Sequence, residues 1–270
     1  MTDSLFSAID RCNELLRLDF SAEEFAKLAE ERSLSAESIE AVSSVFEYLR
    51  DKKEQSTIQM LLRTSRLPQK QVKTFDNFDF DVLKGKDIDK LKNLQTLAPI
   101  YAHKNIAFIG PPGTGKTHLA QAFGYECCRH RMKTYFIKAA ELRDKFTIAR
   151  RAGRESALLT SLVRPSCLII DEVGHCEFDK ANTRLFFDMV DRRYNKEGAF
   201  NMIFTSNKNP SDWREIFGEN DALLCSLDRL FDSASVFTFR GESFRGKHLE
   251  NYTLRAEHSA STTQDNPLNH

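Results

Sequence analysis

The chain has 270 residues, 41% of them hydrophobic, and its 39 basic side chains balance its 39 acidic ones. That length gives ample core for one large domain or two small ones. A formal charge of zero excludes a global pull toward nucleic acid or membrane, so any DNA-binding surface must come from local clustering.

The N-terminus lacks a basic segment followed by an apolar core, and no run approaches the roughly 20 apolar residues needed to span a bilayer. Cys12, Cys127, Cys128, Cys167, Cys176 and Cys225 form no CxxC pair and read as reduced thiols. Both features point to a soluble cytoplasmic protein with no membrane partner.

Residues 1–65 carry helical periodicity. Leu5, Phe6, Ile9, Cys12, Leu15 and Leu16 make one apolar stripe. Ser21 and Glu24 form a capping-box pattern with Phe20 and Phe25 at the staple positions, and Leu34, Ser35 and Ile39 repeat it. The next helix is expected to turn Ile39, Val42, Val45, Phe46 and Leu49 inward before meeting the charged run Asp51-Lys52-Lys53-Glu54. These features describe a small all-α N-terminal domain, expected to bind a partner. Residues 66–80, broken at Pro68, read as a linker whose Phe75, Phe78 and Phe80 dock on the second domain.

A helix is expected through Ile88, Leu91, Leu94 and Leu97, and after it strands and helices alternate. The strand candidates are Ile106 to Ile109, Thr134 to Ile137, Cys167 to Ile170, Met202 to Thr205 and Val236 to Phe239. Apolar runs separated by helices predict an α/β fold with a parallel five-stranded sheet covered on both faces. Residues 257–270 are polar, lack periodicity and read as a disordered tail.

The chemistry is concentrated at Gly110-Pro111-Pro112-Gly113-Thr114-Gly115-Lys116-Thr117, which follows a strand and opens a helix at Thr117; these eight residues and His118 are the expected ATP contacts. Its glycines let backbone N–H groups turn onto phosphate oxygens, and the helix N-terminus adds positive potential. Lys116 would neutralise the β and γ phosphates of ATP, and the Thr117 hydroxyl would hold Mg²⁺. The strand Cys167 to Ile170 delivers Asp171 and Glu172 beside those phosphates, one to hold Mg²⁺ through its water shell and the other to polarise the attacking water. Asn207, after the fourth strand, either donates to the γ phosphate or turns the chain before Pro210. Arg229 falls off the leucine face of the segment 221–231, as a solvated charge or as an arginine finger for a neighbouring subunit.

The order of these motifs, completed by Lys73-Thr74-Phe75, Asp79-Phe80, Trp213, Leu227-Asp228-Arg229-Leu230 and Gly241 to Arg245, resembles the IstB-like ATPases. These are helpers of IS21-type transposition, AAA+ proteins related to the helicase loader DnaC. The resemblance covers roughly residues 73–245 and implies an AAA+ P-loop ATPase domain over 81–256. It makes Lys116 and Thr117 the Walker A residues, Asp171 and Glu172 the Walker B pair and Asn207 sensor 1. Arg229 then looks like the finger and Arg245 like sensor 2. The chain departs from the family in Val173-Gly174-His175, where Leu-Gly-Tyr is common, and in Phe244, where Tyr is usual.

Arg143, Lys145, Arg150, Arg151 and Arg154 lie where the related clade tracks DNA, which suggests sequence-independent phosphate contacts. Interspersed Glu141, Asp144 and Glu155 leave a merely solvated face as the alternative. The function implied is an ATP-dependent homo-oligomer that assembles on double-stranded DNA and recruits or activates a transposase. A DnaC-like loader of a replicative helicase is the alternative. A third reading, an adaptor that binds ATP without turnover, has no need of Glu172.

Overall fold

The computed structural model describes residues 9–10, 12–13, 15–17, 19–217, 227, 229–232, 234–241 and 243. Ser21 caps α1 (Ala22–Glu31) through a capping box, its hydroxyl accepting from the Glu24 N–H at 3.1 Å while the Glu24 carboxylate accepts from the Ser21 N–H at 2.7 Å. Phe20 meets Phe25 edge-on at 6.2 Å, the staple expected from the sequence. Ser35 then caps α2 (Ala36–Ser65), whose 30 residues run unbroken through Asp51 to Glu54, because Lys and Glu are good helix formers. Val45 and Leu49 do not face inward as expected; they are 56% and 42% exposed.

The far end of α2 belongs to the main body. Leu61 and the following Leu67 are buried in one cluster with Phe108, Leu119 and Phe123. The segment after it is ordered by its own hydrogen bonds: the Thr74 N–H donates to Asn77 Oδ1 and the Asn77 N–H to Thr74 Oγ1. The helix expected over 88–97 is broken into α3 (Ile88–Lys92), a 3₁₀ turn (Asn93–Thr96) and α4 (Ala98–Tyr101). Leu97 stands at φ 59°, and Pro99 lies in the first turn of α4, where it lacks no needed N–H. Leu91, Leu94, Leu97 and Ile100 stay buried all the same.

All five strands are parallel. They are β1 (Ile106–Ile109), β2 (Thr134–Lys138), β3 (Cys167–Val173), β4 (Asn201–Ser206) and β5 (Ser235–Thr238), in the order β2-β3-β4-β1-β5. Alternation along β3 splits its apolar side chains between two cores. Cys167 and Ile169 pack with α5 (Lys116–Arg129), and Leu168 and Ile170 pack with α6 (Ala139–Arg151), α7 (Glu155–Val163), α8 (Lys180–Tyr194) and α9 (Trp213–Phe217). Among the described residues, no helix is long and apolar enough to cross a membrane.

One buried charge fastens the end of the sheet away from the cradle. The Arg193 side chain is fully buried and donates to the carbonyls of Leu162, Val163, Pro165, Ser166 and Asn201 at 2.7 to 3.1 Å. Those acceptors are the last carbonyls of α7, the lead into β3 and the first residue of β4. The negative end of the helix dipole stands in for a carboxylate, and burial still lowers the guanidinium pKa to about 10. Arg193→Met should cost more than about 3 kcal/mol in urea unfolding, because it strands buried carbonyls. A loss below about 1 kcal/mol would show that the carbonyls find other partners.

Candidate functional site

β1 enters the cradle directly, and α5 leaves it. Gly110 sits where a Cβ would stand 2.4 Å from the Phe239 carbonyl, so only glycine lets β1 and the end of β5 close up there. Gly115 caps α5 at φ 89° with no side-chain hydrogen bond from the cap itself, and the first N–H groups of the helix point toward the cradle. Lys116 is buried and its Nζ donates to the Pro111 carbonyl at 2.6 Å, an acceptor it shares with the Thr114 hydroxyl at 2.9 Å. Pro111 and Pro112 are exposed at the rim, and Gly113 is partly covered. An ammonium beside a glycine-rich turn and a helix N-terminus suits the phosphates of a nucleotide, although the Ser243 side chain stands against Gly113 and Phe78 against Gly115.

His118, expected to contact ATP, turns its ring instead to the segment 66–80. Its Nε2 lies 2.9 Å from the Thr74 carbonyl and its ring meets Phe78 edge-on at 5.0 Å. Burial holds its pKa below the ordinary imidazole value against that hydrogen bond, so the ring donates as a neutral group. Phe78 also covers Gly115, where an added Cβ would come within 2.7 Å of the ring. The segment 66–80 is therefore docked on the first turn of α5, and His118 is the residue it grips.

Asp171 joins three elements. Its Oδ1 accepts from Thr117 Oγ1 at 2.8 Å and from Thr205 Oγ1 at 2.5 Å, with only 2% of the residue exposed. Thr117 is on α5, Asp171 on β3 and Thr205 on β4, the strand inserted between β1 and β3. The Thr205 hydroxyl also accepts from the Glu172 N–H at 2.9 Å. Thr205 was visible in the sequence as a strand residue, but this role depends on a sheet order that the sequence does not state. The oxygens of Thr117 and Asp171 are hard donors of the kind that suits a divalent cation such as Mg²⁺.

Glu172 bulges the strand. The β3–β4 register shifts between Ile170 and Val173, and Glu172 stands at φ 60°, a conformation costing on the order of 1 kcal/mol for a residue with a side chain. Such a bulge re-aims the carboxylate along the rim, where Glu172 Oε2 meets Lys138 Nζ at 3.0 Å. Lys138 ends β2 opposite Asp171; no motif marked it in the sequence. Exposed Asn207 brings its Oδ1 to 3.4 Å from where a Cβ on Gly174 would stand, so it borders the turn after Glu172.

Arg229 is not among these groups. Its Nη1 donates to Asp191 Oδ1 near the end of α8 at 2.7 Å. The next residue, Leu230, receives a hydrogen bond from Asn105, just before β1, so Arg229 lies at the end of the sheet opposite the cradle. Arg245 lies outside the described residues. Of the five candidate DNA contacts, Arg143 pairs with Asp144 at 2.8 Å and Lys145 stands 3.9 Å from Glu141. Arg150 bonds Asp179, the cap of α8, and Asn182. Arg151 and Arg154 are exposed at the α6–α7 turn with no ion pair among the described residues.

A family model described as IstB-like ATP binding protein matches residues 13–251. The chain belongs to this family. A similar IstB-like protein is the "Insertion sequence IS5376 putative ATP-binding protein" of Geobacillus stearothermophilus, 38% identical over 193 residues, 72% of this chain and 75% of the relative. Another is the "Insertion sequence IS21 putative ATP-binding protein" of Pseudomonas aeruginosa, 32% identical over 204 residues, 76% of this chain and 75% of the relative. Among solved structures, AMPPCP-bound DnaA from Aquifex aeolicus matches with a TM-score of 0.52 at 20% identity, over 64% of this chain and 51% of that one. DnaI matches with a TM-score of 0.51 at 16% identity, over 64% of this chain and 90% of that one. At such identities the likeness shows the fold, that of an AAA+ P-loop protein.

Burial raises the Asp171 pKa, while the hydroxyls of Thr205 and Thr117 oppose the rise. The folded chain then holds the Asp171 proton more tightly than the unfolded chain. Its contribution to stability is present at low pH and is lost as the pH rises through the folded pKa. At neutral pH the charge opposes folding until a cation relieves it. Asp171→Asn keeps an oxygen for both threonines and removes the charge, so without metal or nucleotide it should melt no lower than wild type at neutral pH. Any advantage should shrink as the pH falls into the carboxylate range. Melting well below wild type at neutral pH would contradict this origin of the shift.

Proposed function

We propose that this IstB-like protein hydrolyses ATP with Mg²⁺, assembles on duplex DNA while ATP is bound, and recruits or activates a transposase. The observation that carries the reading is Asp171 accepting from Thr117 and Thr205 at the rim of the cradle, with Glu172 re-aimed beside it. Lys116 would leave the Pro111 carbonyl for the β and γ phosphates, and the first N–H groups of α5 would orient them. Mg²⁺, held by Thr117 and Asp171, would supply charge neutralisation at the phosphates. Glu172 would accept a proton from the attacking water once free of Lys138, and Asn207 would fix that water or the γ phosphate.

Transposition is favoured because relatives with the higher identities, 38% and 32%, carry insertion-sequence names, whereas DnaI offers fold likeness alone. The DNA surface is best assigned to Arg151 and Arg154. Arg150 is already engaged at the α8 cap, where its loss would disturb the fold rather than only the contact. What supports Arg229 as a finger in trans is its distance from its own cradle, since β1 alone spans about 13 Å between them.

The test is ATP turnover on duplex DNA. Lys116→Ala and Arg229→Ala should each be nearly inactive, and a mixture should recover activity, because a mixed interface pairs an intact cradle with an intact Arg229. Replacing Arg151 and Arg154 together by Ala should flatten the salt dependence of DNA binding equally for unrelated sequences. No recovery from variants that still co-assemble would return Arg229 to a surface ion pair. An unchanged salt slope would move the DNA surface elsewhere.

A further inference from the structure

β5 ends the sheet and pairs with β1 on one side only. The Ser235 N–H donates to Asn105 at 2.8 Å and the Phe239 N–H to Ile109 at 2.7 Å, so residues 235 and 239 direct their backbones toward β1. By the alternation of a strand, the N–H and C=O groups of Val236 and Thr238 face the other way. Among the described residues nothing pairs with them. They open on a groove of about 1370 Å³ whose far wall is drawn from residues 82–104.

The groove has a definite chemistry. Val82, Leu83, Val236 and Phe237 give it apolar surface, and Val236 is 45% exposed. Five basic side chains line it, Lys84, Lys86, Lys90, Lys104 and Arg240, against one acid, Asp87, which already holds Lys90 at 2.9 Å. The other four have no ion pair among the described residues. A Cβ built on Gly85 or Gly241 would meet nothing within 4 Å, so the walls stand clear of other atoms there.

The geometry points to a docking site for an extended, acidic peptide segment of a partner protein, added as a strand along β5. The backbone groups of Val236 and Thr238 would bond the added strand. Alternate side chains of that strand would rest on the apolar surface, and its carboxylates would reach Lys84, Lys86, Lys104 and Arg240. A nucleic acid would use the cations but not the strand edge or the apolar surface. A four-residue edge offers few ladder bonds, so binding is weak and reversible and charge supplies much of it.

The experiment selects short random peptides from a display library on the full-length protein, then measures hydrogen exchange at the 235–239 amides with a selected peptide bound. Selection should enrich peptides in which Asp or Glu alternates with β-branched residues. The bound peptide should slow exchange at Val236 and Thr238, and its affinity should fall at least about tenfold in Lys84→Glu/Lys86→Glu. Arg240→Glu, at the other end of the groove, should weaken it as well. The proposal is overturned if no acidic peptide is enriched, or if the bound peptide leaves those amides unchanged. It is also overturned if duplex DNA or ATP alone slows the same amides, or if the full-length chain already protects them unaided. In the last case the lysines are guards against edge-to-edge pairing.

Discussion

Two hydroxyls on one carboxylate oxygen hold the site together. Thr117 and Thr205 reach Asp171 Oδ1 at 2.8 and 2.5 Å, so the first turn of α5 and the ends of β3 and β4 cannot shift independently. The carboxylate is buried, and burial raises its pKa, so the site favours an added positive charge. The same Thr205 hydroxyl accepts the Glu172 N–H and steadies a bulged residue at φ 60°. One side chain thus links the residue suited to a cation with the residue suited to polarise water.

A second set of contacts ties the cradle to the N-terminal helices. α2 ends in the core that supports α5, and the chain after it returns to the first turn of α5 through Thr74 and His118 and through Phe78 over Gly115. Further ties run from Arg66 to Tyr135 on β2 and to Glu141 on α6. A displacement of the N-terminal helices is therefore felt at the residue that caps the cradle helix.

The strands were legible because a sheet buried on both faces demands apolar runs, and Ile106 to Ile109 could be read without error. The cradle was legible because its glycines answer to backbone geometry within eight residues. Thr205 and Lys138 were not, since their roles arise where β4 lies beside β3 and β2 beside β3, which is a matter of sheet order. The break at Leu97 was hidden by a leucine spacing that stays buried on both sides of it. Arg150 looked like a DNA contact because Asp179, its partner, lies 29 residues further along the chain.

ATP turnover by Thr205→Val and Thr205→Ser tests the central claim most directly. Valine keeps the shape of the side chain but removes the donor to Asp171 and the acceptor for the Glu172 N–H; serine restores both. Thr205→Val should bind ATP and fold, yet turn over ATP on the order of a hundredfold more slowly, with Thr205→Ser near wild type. Turnover by Thr205→Val at the wild-type rate would contradict the claim that this hydroxyl organises the site.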